Sequence, residues 1–471
     1  MNVGQGNGYR IERDTMGEMR LPADALYAAQ TQRAVENFSV SGQPLPPRFI
    51  HALGLVKLTA ARVNGALGLL DLEIAGAIEQ AAREVADGAY DAEFPIDVFQ
   101  TGSGTSSNMN ANEVIATLAS RTLGSKVHPN DHVNMGQSSN DVIPTVLHVA
   151  AVLAVEEELI PALHYLHATL AAKAAEFDSV VKIGRTHLMD AVPIRLGQEF
   201  SGYARQIELA IGRVAVTLPG LRELAIGGTA VGTGLNTHAE FGARVARELS
   251  HLTGTAFEEA ANHFEAQGSR DAYVFAAGAL ASVAAAEMKI ANDVRLLASG
   301  PQAGLGELIL PAIQPGSSIM PGKVNPVIPE SVIQVGAQVS GNCHAVALGG
   351  QWGQLDLNTM LPMMARNLLE SIGLLANASR VFVDKCLADT MANVERCAGY
   401  IEGSISMATA LNPLIGYERA AAIAKQSYAT GRTVRELAYE QSGLPREQVD
   451  AALDPMGQTV PGAGAGAAAG G

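Results

Sequence analysis

From Arg270 to Ser299 the chain reads RDAYVFAAGALASVAAAEMKIANDVRLLAS, with no proline and with apolar side chains recurring at three- and four-residue steps. That spacing predicts a single helix of about 45 Å. Alanine and other apolar residues cover most of its circumference, and a helix that is apolar nearly all round is stable only when other helices surround it. The run therefore commits the chain to a helical bundle. Similar runs follow Asp141, Ile194, Glu330 and Met360, whereas strand signals are short and gather near the N-terminus in YRIERD and GEMRL. The fold class expected is mainly α with minor β.

At 471 residues the chain exceeds what one hydrophobic core usually serves, so two or three domains or one shared assembly core are expected. Hydrophobic residues make up 48% and charged residues 17%, the latter below the roughly 25% of ordinary soluble domains. Such a surface fits coverage by copies of the same chain, so a homo-oligomer is expected. Thirty-two basic residues against 47 acidic ones give a net charge of −15. With no basic run, this argues against nucleic-acid binding. The start MNVGQGNGYR resembles neither a secretory nor a transit segment, and no 18-residue uncharged apolar stretch is present. A soluble, cytoplasmic protein without a membrane partner is expected. Cys343, Cys386 and Cys397 have no metal-ligand spacing and read as reduced packing residues. The tail PGAGAGAAAGG is low in complexity and reads as disordered.

The informative pattern is positional. Segments rich in hydroxyl, amide or small side chains stand ahead of long helical runs: TGSGTSSN (Thr101 to Asn108), QSSN (Gln137 to Asn140), GRTHLMD (Gly184 to Asp190) and GSSIMPGKVNPVIPE (Gly316 to Glu330). Helix N-termini present free N–H groups and partial positive charge, which suit carboxylates and phosphates. Ordinary N-capping favours the same residues. Four such loops together, with Arg185 and Lys323 in two of them, point to one convergent site for an anion. A phosphate loop is excluded because TGSGTSSN lacks the required lysine, and GGTAVGTG (Gly227 to Gly234) reads as a tight turn.

GSSIMPGKVNP resembles the signature of the fumarase/aspartase superfamily. The likeness continues through RIERDTMGE, AAQTQRAVENF, FQTGSGTSSNMNANEV, HPND, SSND, GRTHLMDA, GGTAVGTGLNT and LNPLIGYE, leaving only the first few residues and the tail outside. Within that superfamily the chain is most similar to class II fumarate hydratases, which interconvert fumarate and L-malate. The resemblance implies a three-domain fold, with an N-terminal lyase domain (1–137), a central helical bundle (138–392) that forms a tetramer core, and a small helical C-terminal domain (393–471). It also implies a homotetramer whose active site draws loops from three subunits, and neither a metal nor an organic cofactor.

The chemistry requires breaking a C–H bond beside a carboxylate, through a doubly charged aci-carboxylate that preorganised donors would stabilise. The resemblance implies that Ser317 is the base taking the proton, a role for which its oxyanion must be surrounded by donors. It implies that His187 acts on water, with Glu330 as its partner carboxylate; an imidazole titrates in the right range. Ser103, Thr105, Ser138, Ser139, Asn140, Thr186, Lys323 and Asn325 would position the two substrate carboxylates. His128, Asn130 and Asp131 of HPND resemble a second dicarboxylate site, although the same residues suit a surface turn.

The competing reading is an aspartase-like ammonia-lyase or another fumarate-forming C–N lyase. Aspartases carry Gln in the place of His187 and STN in place of SSN, so both loops here are of the hydratase type. Three departures run the other way: Gly136 before QSSND, Gln302 in GPQAGLGE, and Gln354 in GQLDLN, which is closer to aspartase. A non-catalytic scaffold would be expected to have lost Ser317, His187, Lys323, Asn325 and Asn140, and all five are present.

Overall fold

The computed structural model describes residues 8–462. Residues 1–7 and 463–471, including most of the low-complexity tail, lie outside them. The expected long helix spans Asp271–Leu297, 27 residues. By length and hydropathy this helix could cross a membrane, but 56% of its most apolar window is buried within the chain, as in a core helix. The other long runs form Ser139–Ala154, Leu196–Ala215, Val327–Gly350 and Leu361–Phe382. Among the described residues the strands form five two-stranded sheets, so the chain is mainly α.

Two compact units emerge, each discontinuous in sequence: Met1–Pro161, Ile211–Ala284 and Gly336–Ala376 in the first; Ala162–Ala210, Ala285–Val335 and Asn377–Gly471 in the second. In the first, YRIERD and GEMRL form the expected antiparallel hairpin, β1 (Tyr9–Asp14) with β2 (Gly17–Pro22). Helix α1 (Pro47–Ala66) packs on α2 (Leu72–Ala86), and α3 (Thr105–Leu123) and α4 (Ser139–Ala154) complete the layer around it. These helices contribute the fully buried side chains of Leu53, Val56, Ile78, Ile115, Val142 and Val146.

The second unit contains a hairpin, β3 (Val181–Thr186) with β4 (Met189–Arg195), that the sequence reading did not anticipate. GRTHLMD was expected at the head of a helix; it is the tip of this hairpin, and the helix after it begins at Leu196. The strands are short, and Pro193 within β4 looks like punctuation before a helix rather than part of a two-stranded ribbon. The hairpin packs on the C-terminal helices, where Ile183, Ile401, Met407, Leu411, Ile423, Leu437 and Val449 form one core cluster. All three cysteines are buried and unpaired, and burial pushes their thiols up, to about 11 for Cys343 and Cys397 and about 12 for Cys386. They are packing residues, as expected.

Candidate active site

In the first unit, two of the four polar loops meet. Gly104 adopts φ 72° and turns the chain so that α3 starts at Thr105. Ser138 caps α4: its Oγ accepts from the Asn140 N–H, while Asp141 accepts from the Ser138 N–H. Ser103 and Thr105 share a hydrogen bond of 2.9 Å, and Thr105 shares one of 2.7 Å with Ser139, so a chain of hydroxyls joins the starts of both helices. They open on a cavity of about 400 Å³ lined by Thr105, Asn108, Asn134, Gln137, Ser138, Ser139 and Thr229 among others, without an ionisable side chain. Asn140 donates to the Ala230 carbonyl at 2.8 Å, which ties it to the opposite wall.

That wall is GGTAVGTG, a tight turn as expected, but one whose part in the cavity the sequence did not disclose. Asp141, fully buried, accepts from the N–H groups of Gly227 and Thr229 at 3.1 and 2.9 Å. Burial raises its carboxyl above the ordinary range, against these hydrogen bonds. Lys57 of α1 is also fully buried, and its Nζ donates to Asn134 Oδ1 and Gln137 Oε1, both at 2.9 Å. Burial brings its pKa down to about 7, with Asp141 acting against the shift. The one available signal for Lys57 was a lone cation in the apolar run LGLVKLTAA.

The second unit carries the other two loops. His187 and Leu188, with φ 56° and 61°, form the two-residue turn of the hairpin. Left-handed backbone at two non-glycine residues costs on the order of 1–2 kcal/mol each. Beneath the tip, Glu307 is fully buried; it accepts two bonds from Arg185 at 2.9 Å and pairs with Lys182 at 3.0 Å. Burial opposes the charge on Arg185, but Glu307 outweighs it and holds the guanidinium pKa above its ordinary value. Thr186 and His187 are exposed, and among the described residues no hydrogen bond or ion pair links His187 to Glu330.

The signature loop closes on itself. The Gly316 N–H donates to the Lys323 carbonyl at 2.7 Å, and Asn325 Nδ2 donates to the Gly316 carbonyl at 2.9 Å. A Cβ at Gly316 would lie 2.6 Å from that Lys323 oxygen, so only glycine fits the neck. Asn325 was read as a carboxylate ligand; within the chain its amide also secures the loop. Ser317 Oγ accepts from the N–H groups of Ile319 and Met320 at 3.2 and 3.1 Å, while Lys323 is exposed. Glu330 lies in the first turn of the helix Val327–Gly350. HPND opens a single π-helical turn, Pro129–Val133, capped by His128, whose Nδ1 accepts from the Asp131 N–H at 3.1 Å; Asn130 and Asp131 are exposed.

Of the three departures, only Gly136 lines the cavity. It adopts φ 68°, and a Cβ there would come within 2.8 Å of Thr237 Oγ1, so a neighbouring hydroxyl already stands where a side chain would begin. Gln302 and Gln354 are exposed, the latter in a two-residue strand, Gly353–Gln354, paired with Leu357–Asn358.

Residues 17–341 match the family described as lyase, and residues 407–457 match the family described as fumarase C C-terminus. The class II fumarate hydratase of Corynebacterium efficiens is 58% identical over 452 residues, covering 95% of each chain. That of Mycobacterium tuberculosis is 58% identical over 451 residues, again covering 95% of each. Among solved structures, the class II fumarase of Schistosoma mansoni superposes with a TM-score of 0.94 at 40% identity, over 96% of this chain and 100% of that one. A fumarate lyase:delta crystallin from Brucella melitensis gives 0.92 at 46% identity, over the same shares. With its polar loops heading α3 and α4 and its signature loop before a long helix, the chain belongs to the class II fumarate hydratase family.

Proposed function

We propose that this chain reversibly hydrates fumarate to L-malate. The observation that carries this reading is the pair of helix N-termini joined by the Thr105–Ser139 hydrogen bond at a cavity of small neutral donors. Such a wall suits a flat dicarboxylate, held by hydroxyls and backbone N–H groups and fixed in one orientation. In this reading Ser103, Thr105, Ser138, Ser139 and Asn140 bind one face of the substrate, and Thr186, Lys323 and Asn325 supply donors from other loops. Ser317 takes the proton from carbon. The two backbone N–H groups already directed at its Oγ favour the oxyanion, which is what a serine base needs. His187, on a turn whose backbone is costly to maintain, activates water in one direction and protonates the departing hydroxyl in the other, with Glu330 as its carboxylate.

The loops of the two units would complete one site through a homotetramer, three subunits contributing to each. Large apolar side chains left exposed on the long helices, Phe275, Leu348 and Val381, support burial by other copies. The sequential division at residues 137 and 392 and the second dicarboxylate site at His128, Asn130 and Asp131 belong to the same proposal. The ammonia-lyase alternative is weakened by the two loops that tell the activities apart, since GRTHLMD carries His187 and QSSN has the hydratase form.

The test follows fumarate formation by the purified protein from L-malate and L-aspartate side by side, with Ser317→Ala as the control. Turnover of L-malate alone is expected. Turnover of L-aspartate, or of neither, overturns the hydratase reading.

A further inference from the structure

We propose that Lys57 is a positioning residue for dicarboxylate binding: beneath the cavity it holds Asn134 and Gln137 by their amide oxygens, and it lends positive charge to a cavity wall that carries none of its own. The inference rests on the fumarate hydratase reading for the class of ligand.

Three observations carry it. The first is connectivity. Lys57 Nζ bonds Asn134 Oδ1 and Gln137 Oε1 at 2.9 Å each, and Asn108 Nδ2 donates to the same Asn134 oxygen at 3.2 Å. With their oxygens held, the amide nitrogens bond the loop's own backbone: Asn134 Nδ2 reaches the Gln137 carbonyl at 3.2 Å, and Gln137 Nε2 reaches those of Val133 and Met135 at 3.1 Å. This segment runs directly into Ser138, Ser139 and Asn140, so the ammonium fixes the loop that presents them. The second is charge. Lys57 is completely buried, and no carboxylate stands within ion-pair distance of it among the described residues. Asp141 on α4 is the ionisable group whose charge acts on it, favouring protonation from further away. A buried cation with only neutral contacts is costly, and an anion in the adjoining cavity would offset that cost. The third is the lining of this cavity, which holds hydroxyls and amides but no Lys or Arg of its own, so Lys57 adds a positive charge on this side of the dianion to that of Lys323. Burial, which brings Lys57 down to about 7, leaves it poised to take up a proton when that dianion enters.

The test measures binding of succinate, a saturated four-carbon dicarboxylate that cannot be hydrated, by calorimetry at several pH values from 6.5 to 8.5 in buffers of differing ionisation enthalpy. The full-length protein is used in a His187→Asn background, so that the imidazole does not contribute. With Lys57 present, affinity should weaken as pH rises through this range, with proton uptake on binding. Lys57→Met should bind at least tenfold more weakly at pH 6.5 and lose that uptake; Lys57→Arg should keep the affinity without its pH dependence. In the His187 enzyme, Lys57→Met should raise KM for L-malate more than it lowers kcat. A folded Lys57→Met protein with affinity within twofold and the same pH slope overturns the proposal. If that variant does not fold, pH-independent succinate binding with Lys57 intact overturns it. L-malate turnover by the wild type together with that result leaves the hydratase reading standing, whereas no turnover and no succinate binding overturns both.

Discussion

Thr105 and Ser139, 34 positions apart in sequence, share a 2.7 Å hydrogen bond that locks the N-termini of two helices side by side. In the proposed site each hydroxyl would have two tasks, orienting the other and contacting the ligand. Thr105→Ala and Ser139→Ala should each raise KM for L-malate by roughly tenfold to a hundredfold, the worth of a hydrogen bond to a charged group. Because the two act through one contact, the double variant should lose less than the product of the single losses. Steady-state kinetics on the four proteins checks this, and strictly multiplicative losses would mean that the two hydroxyls work independently.

Ser317 Oγ accepts from two backbone N–H groups, and the neck of its loop is closed independently of it, by the Gly316–Lys323 and Asn325–Gly316 hydrogen bonds. Ser317→Ala should leave the loop and dicarboxylate affinity nearly intact while lowering kcat by about 10²–10⁴, the usual worth of a positioned base. A variant with kcat close to wild type would remove Ser317 from the role of base.

Glu307 neutralises Arg185 and Lys182 beneath the turn bearing His187. Glu307→Gln leaves two cations without their buried partner and should destabilise the protein by about 3–5 kcal/mol. Thermal unfolding gives the stability, and kcat should fall as well because the hairpin tip loses its anchor. Unchanged unfolding would show that Glu199, 2.9 Å from Lys182, suffices to hold the strand.

The helix Asp271–Leu297 and the hairpin from Tyr9 to Pro22 were readable because each is set by local periodicity. The strands bearing His187 were not, since six residues of β3 and seven of β4 around Pro193 acquire their meaning only by pairing with each other. Hydroxyl loops announce themselves by composition, so TGSGTSSN and QSSN could be singled out in advance, whereas the choice of Ser103, Thr105, Ser138 and Ser139 within them came from the resemblance. Lys57 and the Gly227–Thr229 backbone could not, because their contacts with Asn134, Gln137 and Asp141 span between 77 and 88 positions and follow no motif. The pairing of His187 with Glu330 came from the resemblance, and one chain does not make that contact.

Glu287 offers a test of burial that is independent of the reaction. It is 1% exposed on the helix Asp271–Leu297; Ser379 donates to one carboxyl oxygen at 2.5 Å, and the other oxygen has no partner. Burial pushes its pKa up from 4.5 to about 7, with the Ser379 hydrogen bond acting against the rise. In the folded protein the group is thus neutral up to near pH 7, whereas in the unfolded chain it ionises near 4.5. Between these values the folded state binds more protons than the unfolded one, so stability falls as pH rises across the window and levels off above it. The whole effect amounts to roughly 3 kcal/mol. Glu287→Gln keeps an acceptor for Ser379 and cannot ionise. Its stability should exceed that of the wild type only slightly near pH 5 and by most of that amount near pH 8, as read by unfolding at both pH values. If the variant is instead the less stable of the two at pH 8, the carboxylate is ionised in the fold and is compensated by a group outside this chain.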